Sequence, residues 1–325
     1  MRRQNGLALV LVLWVLSLLT IMAGSFALAM RRETSIIEGI RNNAQALAVA
    51  QSGIAMAEMM LLNPDQNTRW RADGSIYQIN SNDAKVRVRL LSETGKIDIN
   101  KADQILLQAL MAQAPVEEEQ QTKIVSAILD WRDKDDLVHI NGAEKKEYKA
   151  AGLNYQPRNK PFQNIEELQL VLGIDKSVFL WIEPLVTVYS GQPQVNVQLA
   201  AKEVLQVIPG LDKDLLDSYL KARLESAINN LPAPPFPSSS GQNIATGQQM
   251  VLTLVSEARL DDDSSAMISA VIKKSDEAET QNIAPLNTPF RVLKWQHVTA
   301  NDASLFTDAM SELIVKQYAE PELNN

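Results

Sequence analysis

The hydrophobic pattern opens on an unbroken apolar stretch. Leu7 to Met30 reads LALVLVLWVLSLLTIMAGSFALAM, with no charged side chain, behind a short head that ends in Gly6. At about 1.5 Å per residue a helix of this length reaches roughly 36 Å, enough for the ~30 Å hydrocarbon core of a bilayer. Within lipid a single segment satisfies its backbone only as a helix. After Arg31 the pattern changes but stays helical. No proline occurs up to Leu62, and Ile40, Leu47, Ile54 and Leu61 recur at seven-residue spacing, with Ala44, Ala48 and Ala55 beside them. That is one apolar stripe on an amphipathic helix. Asn63-Pro64 ends it, because proline disfavours helix in the residue before it. The pattern predicts one helix over 7–62, half in lipid and half under a soluble domain.

Three readings of the apolar stretch compete. A cleaved secretory signal has the charged head, and Ala27-Leu28-Ala29 offers a late cleavage site, but its core of roughly 7–15 residues is shorter than this one. A plain membrane anchor accounts for Leu7–Met30 but not for the helix beyond. An assembly helix accounts for both. Arg2 and Arg3 before the stretch nearly balance Arg31 and Arg32 after it. The free amino terminus and Glu33 tip the orientation towards a cytoplasmic N-terminus.

Beyond Pro64, Ser75–Asn80 and Lys85–Leu91 have the alternation of half-buried strands, with Asn82-Asp83 as the turn between them and Glu93-Thr94-Gly95 as a second turn. From Lys101 to about Tyr189 the period becomes helical. Ile105, Leu106, Ala109 and Leu110 form one stripe, and Ile124, Ile128 and Leu129 another. Glu166-Glu167-Leu168 opens a third helix closed by Gly173, and Val178–Leu185 is a short fourth. Asp98-Ile99-Asn100-Lys101-Ala102 and Asn196-Val197-Gln198-Leu199-Ala200 form a weak internal repeat, the second running on into a hairpin-like Ile208-Pro209-Gly210-Leu211. Leu231 to Gly241 is rich in Pro and Ser and reads as an exposed loop. Met250–Leu260, Ala266–Lys274 and Phe290–His297 then read as strands. The expected fold class is α+β: a long N-terminal helix packed on an antiparallel sheet, with a large all-α insertion. The expected divisions are a leader 1–6, the helix 7–62, a first α/β part 63–100, a helical insertion 101–190, and a second α/β part 191–325 with a flexible loop over 231–243.

Composition narrows the chemistry. The length of 325 residues allows an anchor and roughly two soluble domains. A net charge of −8 argues against a general nucleic-acid surface. With no cysteine and only His139 and His297, there is little material for a thiolate, a zinc or a His-based hydrolytic site. Hydrolase and phosphate-loop motifs are missing from the sequence. The hairpin at Pro209-Gly210 suggests a nucleic-acid module, but it is followed by Asp212, Asp214 and Asp217 where basic neighbours would be needed.

One segment stands apart. Asp130 to Glu144 reads DWRDKDDLVHINGAE, with four aspartates, an asparagine and a glutamate near a helix end. Hard cations such as Ca²⁺ take six to eight oxygen ligands of these types. Counting from Asp133, the acidic spacing imitates an EF-hand, but Leu137 and Val138 occupy positions that motif needs for a ligand and a glycine. A solvated acidic loop that caps a helix is the alternative.

The Gly6-Leu7 junction, the apolar helix and its amphipathic extension resemble type IV pilins and pseudopilins. The resemblance implies cleavage by a prepilin peptidase after Gly6 and methylation of Leu7. Most of that family carries Glu at the position of Leu11. A chain without that carboxylate fits a place with no subunit before it, at a filament tip. The assembly surface would be Leu11, Ile40, Ala44, Leu47 and Ile54; packing on the chain's own domain is the alternative for this stripe and is expected for its lower part. Thr94-Gly95-Lys96-Ile97-Asp98-Ile99-Asn100 resembles the general secretion pathway protein K family, the large minor pseudopilins of type II secretion. So do Ile128–Asp136 with Asn141–Glu144, and Lys160-Pro161-Phe162 ahead of Glu166. This resemblance implies calcium at Asp133, Asp135, Asp136, Asn141 and Glu144, with Asp130 at the edge of the set. It also implies minor pseudopilins in a tip complex, a major pseudopilin, a prepilin peptidase and an inner-membrane assembly platform as partners. Nucleic acid is not among the expected partners. The implied place is the inner membrane, single-pass, with the soluble part in the periplasm.

Overall fold

The computed structural model describes residues 7–81, 83–237, 250–275, 288–298 and 304–319. The leader 1–6 and the second half of the loop expected over 231–243 lie outside them.

The first element is helix α1, Leu7–Leu61, whose 55 residues span about 80 Å at 1.5 Å each. Its first part packs against no other element among the described residues, and the large apolar side chains from Leu9 to Met30 stand exposed, as do Ile36, Ile37 and Ile40. Ser17 and Thr20 turn their hydroxyls back to the Leu13 and Leu16 carbonyls. This is how a helix hides polar groups from an apolar surround.

The strands are β1 Asp73–Asn80, β2 Ala84–Ser92, β3 Ile97–Asp98, β4 Val186–Thr187, β5 Val251–Leu260, β6 Ser265–Lys274, β7 Phe290–Val298 and β8 Ile314–Ala319. Six of them form one sheet in the order β7-β6-β5-β2-β1-β8. It is antiparallel except for β8, which runs parallel to β1. The alternation in β2 explains how the sheet is two-faced. Ala84, Val86, Val88 and Leu90 are buried, and all but Ala84 join the core under α1, while Lys85, Arg87 and Arg89 point the other way. On that second face the Phe306 ring lies between the guanidinium groups of Arg87 and Arg259, each 4.5 Å from its centre. The buried Glu257 accepts hydrogen bonds there from the Ser304 hydroxyl and the Leu305 N–H.

The contact face of α1 differs from the expected stripe. Ala46, Ala50, Gly53, Ile54, Ala57 and Leu61 are buried, whereas Ala44, Ala48 and Ala55 are exposed and Leu47 is half-buried. Small residues make the contact because the helix lies close on β2, β5 and β6. Ile40 is left out because the sheet ends beside Asn42, whose side-chain amide donates to Asp262 in the β5–β6 turn.

A second core of buried residues is helical. It is built on α2 Gln104–Met111, α3 Glu118–Arg132, α4 Lys145–Ala150 and α5 Lys176–Ile182, with the β3–β4 pair at its base. The segment expected as a third helix is a 3-10 turn, Ile165–Leu170, capped by Asn164 and released by Val171 in extended conformation. The helical core does not stop at residue 190. Val195, Val197, Ala200, Val204, Leu205, Val207 and Leu216 belong to it, so α6 Lys202–Val207 and the start of α7 Lys213–Ile228 pack with the helices, not with the sheet. The far end of α7, at Leu224 and Ala227, packs on the core under α1. Helix α8, Asp308–Ser311, is a single turn ahead of β8.

The internal repeat is structural. Asp98 Oδ1 accepts from the Asn100 N–H and Asn196 Oδ1 from the Gln198 N–H, two like turns that each lead into a helix six residues on. They pack side by side, and the Asn196 N–H donates to Thr94 O at 2.8 Å. Gly95 is needed there, since a Cβ would meet Leu199 O at 2.5 Å. Nearby, the buried Glu93 carboxylate joins the two cores. It takes Lys96 Nζ at 2.7 Å, the Thr253 hydroxyl of β5 at 2.6 Å, and the Thr187 hydroxyl of β4.

Candidate functional site

Two features have no purely structural explanation: the bare half of α1 and the acidic loop.

On α1, Gly6 lies outside the described residues and Leu7 begins the helix. Leu11, Ile40 and Ala44 are exposed, and Leu47 is half-buried against the core. Ile54 is 3% exposed inside the chain's own core, the intramolecular packing expected of the lower part of the stripe. The helix is long and apolar enough to cross a membrane. So much exposed apolar surface on a water-soluble chain would be an aggregation hazard, and a lipid or protein surround removes that cost.

The acidic loop begins where α3 ends. Asp130, in its last turn, is fully buried and organises the loop. Its Oδ1 accepts from the His139 N–H at 3.0 Å and its Oδ2 from the Ala143 N–H at 2.7 Å. The His139 ring Nδ1 also contacts Oδ1, and it lies 3.7 Å from Asp133 Oδ2. Asn141 takes the left-handed conformation, φ 63°, that turns the chain back. Gly142 follows because a Cβ there would run into Asp130 Oδ2. The Ser126 hydroxyl donates to Ile140 O at 2.9 Å. Glu144, which caps α4, is buried at 6% exposure.

From the expected set the structure thus brings Asp130 and Asp133 together, and Glu144 lies near enough for their charges to act on its carboxyl. Asp135 and Asp136 are exposed at the rim, where Asn159 Nδ2 donates to Asp135 O and to Asp136 Oδ1, both at 2.8 Å. Asn141 is exposed and serves the turn. His139 and Asn159 join the site without having been expected. The scarcity of histidine was the one signal for His139; Asn159 lies too far along the chain to give any.

Electrostatically the loop is short of positive charge. Burial pushes the Glu144 carboxyl up to about 7, with the charges of Asp130, Asp133 and Asp136 adding to it. Burial, then Asp135 and Asp130, raises Asp133 as well. Among the described residues, Glu144 Oε1 and Asp133 Oδ1 are buried without a hydrogen-bond partner. Orphaned buried carboxylate oxygens cost free energy unless something satisfies them. That donor chemistry fits a hard divalent cation.

The comparisons agree with one another. Residues 80–191 match the family model described as type II secretion system (T2SS), protein K. Relatives named type II secretion system protein K include one from Aeromonas hydrophila, 28% identical over 66% of this chain and 74% of its own length. The one from Pseudomonas aeruginosa is 25% identical over 68% and 73%. The one from Klebsiella pneumoniae is 23% identical over 60% and 66%, so the chain spans just under two thirds of that relative. Among solved structures, the GspK-GspI-GspJ complex of the enterotoxigenic Escherichia coli type 2 secretion system contains a chain of like fold. Its TM-score is 0.50 at 17% identity, over 83% of this chain and 99% of that one. Over residues 80–191 the chain is similar to the type II secretion system protein K family, and the relatives that it matches carry the same name.

Proposed function

We propose that the chain is a minor pseudopilin that caps the tip of the periplasmic pseudopilus and helps to start its assembly for the export of folded proteins. The observation that carries this reading is the division of α1. One half lies on the chain's own sheet, and the other half presents bare apolar side chains over Leu9–Ile40 for lipid and for neighbouring helices. Leu11, in place of the Glu of most pilins, leaves no carboxylate in the span that needs a partner. The helical unit, read as a SAM-like or helix-hairpin-helix-like insertion, adds bulk that suits an end of a filament better than its interior.

The partners in this reading are two smaller minor pseudopilins, as in the GspK-GspI-GspJ complex, together with the major pseudopilin, the prepilin peptidase and the inner-membrane platform. The role is assembly, not catalysis. A nucleic-acid role for the α6–α7 hairpin finds no support, and its exposed face carries Asp212, Asp214 and Asp217.

Calcium belongs to the same proposal. Asp133, Asp135, Asp136 and Glu144 would hold it from the rim and the wall of the loop, with the Asn141 turn and Asp130 setting the backbone. Calcium would neutralise the carboxylates and fix the loop's shape.

The test is co-expression with a prepilin peptidase followed by intact-mass analysis. The expected product starts at N-methylated Leu7. Cleavage after Ala29, or an uncut chain, contradicts the reading.

A further inference from the structure

We infer that the β7 edge of the six-stranded sheet is a docking surface for an extended strand from one of the smaller subunits of the tip complex, a strand with carboxylates along one side and apolar side chains along the other. The inference rests on the tip-complex reading and gives that complex a contact outside α1.

The two edges of the sheet differ. β8 closes one with six residues, among them the exposed Lys316 and Gln317. Short strands and lysines are how an edge avoids unwanted pairing. β7 forms the other edge with nine residues, and among the described residues no further strand lies beside it. Val292, Leu293 and Trp295 stand exposed on it, Trp295 at 40%. Trp70 and Trp131 are buried and Trp181 is half-buried, so beyond the apolar span Trp295 is the one exposed tryptophan. Tryptophan is enriched where proteins meet.

The register gives the edge two sides. Val292, Trp295 and His297 lie opposite Ile272, Ala270 and Ile268, and so share the face of the sheet that carries α1. The helix lies over β2, β5 and β6, and of β7 only Phe290 reaches the core beneath it. Val292 and Trp295 therefore continue the apolar face past the helix. Arg291 and Lys294, opposite Lys273 and Val271, point the other way. Leu293 falls at an irregularity in the pairing and has no residue opposite it.

Charge selects the occupant. Phe290–Val298 contains Arg291, Lys294 and His297 and no carboxylate. Lys294 is held by Glu166, and Arg291 makes no ion pair among the described residues. A second copy would set this strand against itself, cations facing cations, and like charges directly opposite destabilise a strand pair. A strand with carboxylates against Arg291 and apolar side chains against Val292 and Trp295 complements both sides. Its main chain would add the hydrogen bonds that hold any strand to a sheet edge.

The test uses the full chain, co-expressed with the two smaller minor pseudopilins of its own secretion system. The photo-reactive residue benzoylphenylalanine replaces Leu293 or, as a control on the opposite edge, Gln317. Membranes are irradiated and the cross-links mapped by mass spectrometry. The Leu293 position is expected to capture an acidic strand of one of the two partners, and the Gln317 position to capture neither. Trp295→Glu should lower the recovered complex by about tenfold or more, the scale of an interface hot spot, and leave the urea midpoint of the chain alone unchanged. Arg291→Glu should weaken the complex as well, and lysine in place of the cross-linked partner carboxylate should restore it. Cross-links from Leu293 that stay within the chain or run to a second copy overturn the inference. So does a complex recovered in full with Trp295→Glu; both results leave the tip-complex reading standing. A wild-type chain that forms no complex contradicts that reading and this inference together.

Discussion

Gly53 of α1 lies directly on Ser256 of β5. A Cβ added to Gly53 would run into the Ser256 hydroxyl and sit 2.8 Å from Val86 Cγ1. The helix rests on the sheet through this point, with Ala46, Ala50 and Ala57 extending the close contact. Glycine costs a helix about 1 kcal/mol relative to alanine, so an open site would gain from its replacement. Here the steric penalty outweighs that gain. Gly53→Val should lower stability by about 1–3 kcal/mol, the usual cost of overpacking. Urea unfolding measures it, and an unchanged midpoint would show that the helix does not lie this close.

The two cores should be coupled through Glu93. Glu93→Gln leaves Lys96 charged and 8% exposed without its partner. Breaking one side of a buried pair costs about 3–5 kcal/mol. Thermal unfolding of the variant should move to lower temperature, and adding Lys96→Met should restore much of the loss. If the double variant is no better than the single one, the Glu93–Lys96 pair is not what holds the junction.

Acid should loosen the contact between the helical unit and the sheet. Lys294 of β7 binds Glu166, and Arg89 of β2 binds Glu203 at 3.0 Å. Burial alone would raise both carboxyls, but Lys294 and Arg89 outweigh it and hold them below the usual Glu value of 4.5. A carboxylate lowered by folding contributes stability above its unfolded value, and that stability is lost as pH falls through the folded value. Between pH 6 and pH 3 (roughly, from those directions) wild type should lose more stability than the Glu166→Gln, Glu203→Gln double variant. Equal losses in the two chains would remove these bridges from the account.

Much of this architecture was legible in the sequence, for local reasons. The alternation over Lys85–Leu91 and the apolar run of Val251–Leu260 gave strands that the structure places side by side. Proline at 64 marked the end of α1. What could not be read was long-range. β8, Ile314–Ala319, pairs with β1 across more than two hundred residues of chain, and no window of sequence contains both. Of the expected stripe on α1, Ile54 and Leu61 lie in the contact and Ile40 does not, and the close approach adds small residues at Ala46, Ala50 and Ala57. The acidic loop was evident from its charge, but His139 became part of it only through the buried Asp130 that the turn at Gly142 wraps around.

Calcium should stabilise the full chain. A ligand at a hundred times its Kd adds about 2.7 kcal/mol, which for a domain of this size is a rise of roughly 5–10 °C. Scanning calorimetry with calcium and with a chelator should differ by that amount. Glu144→Gln and Asp135→Ala should each abolish the difference. A chelator without effect on wild type would count against calcium at this loop.

The central claim is that α1 is an assembly helix in a tip complex, and co-assembly tests it most directly. The full chain is co-expressed with the two smaller minor pseudopilins of its own secretion system and purified from membranes in mild detergent, and its stoichiometry is read by native mass spectrometry. The account predicts a complex with one copy of each, weakened when Leu11 or Ile40 is changed to Asp. A chain that purifies alone beside well-expressed partners would contradict it.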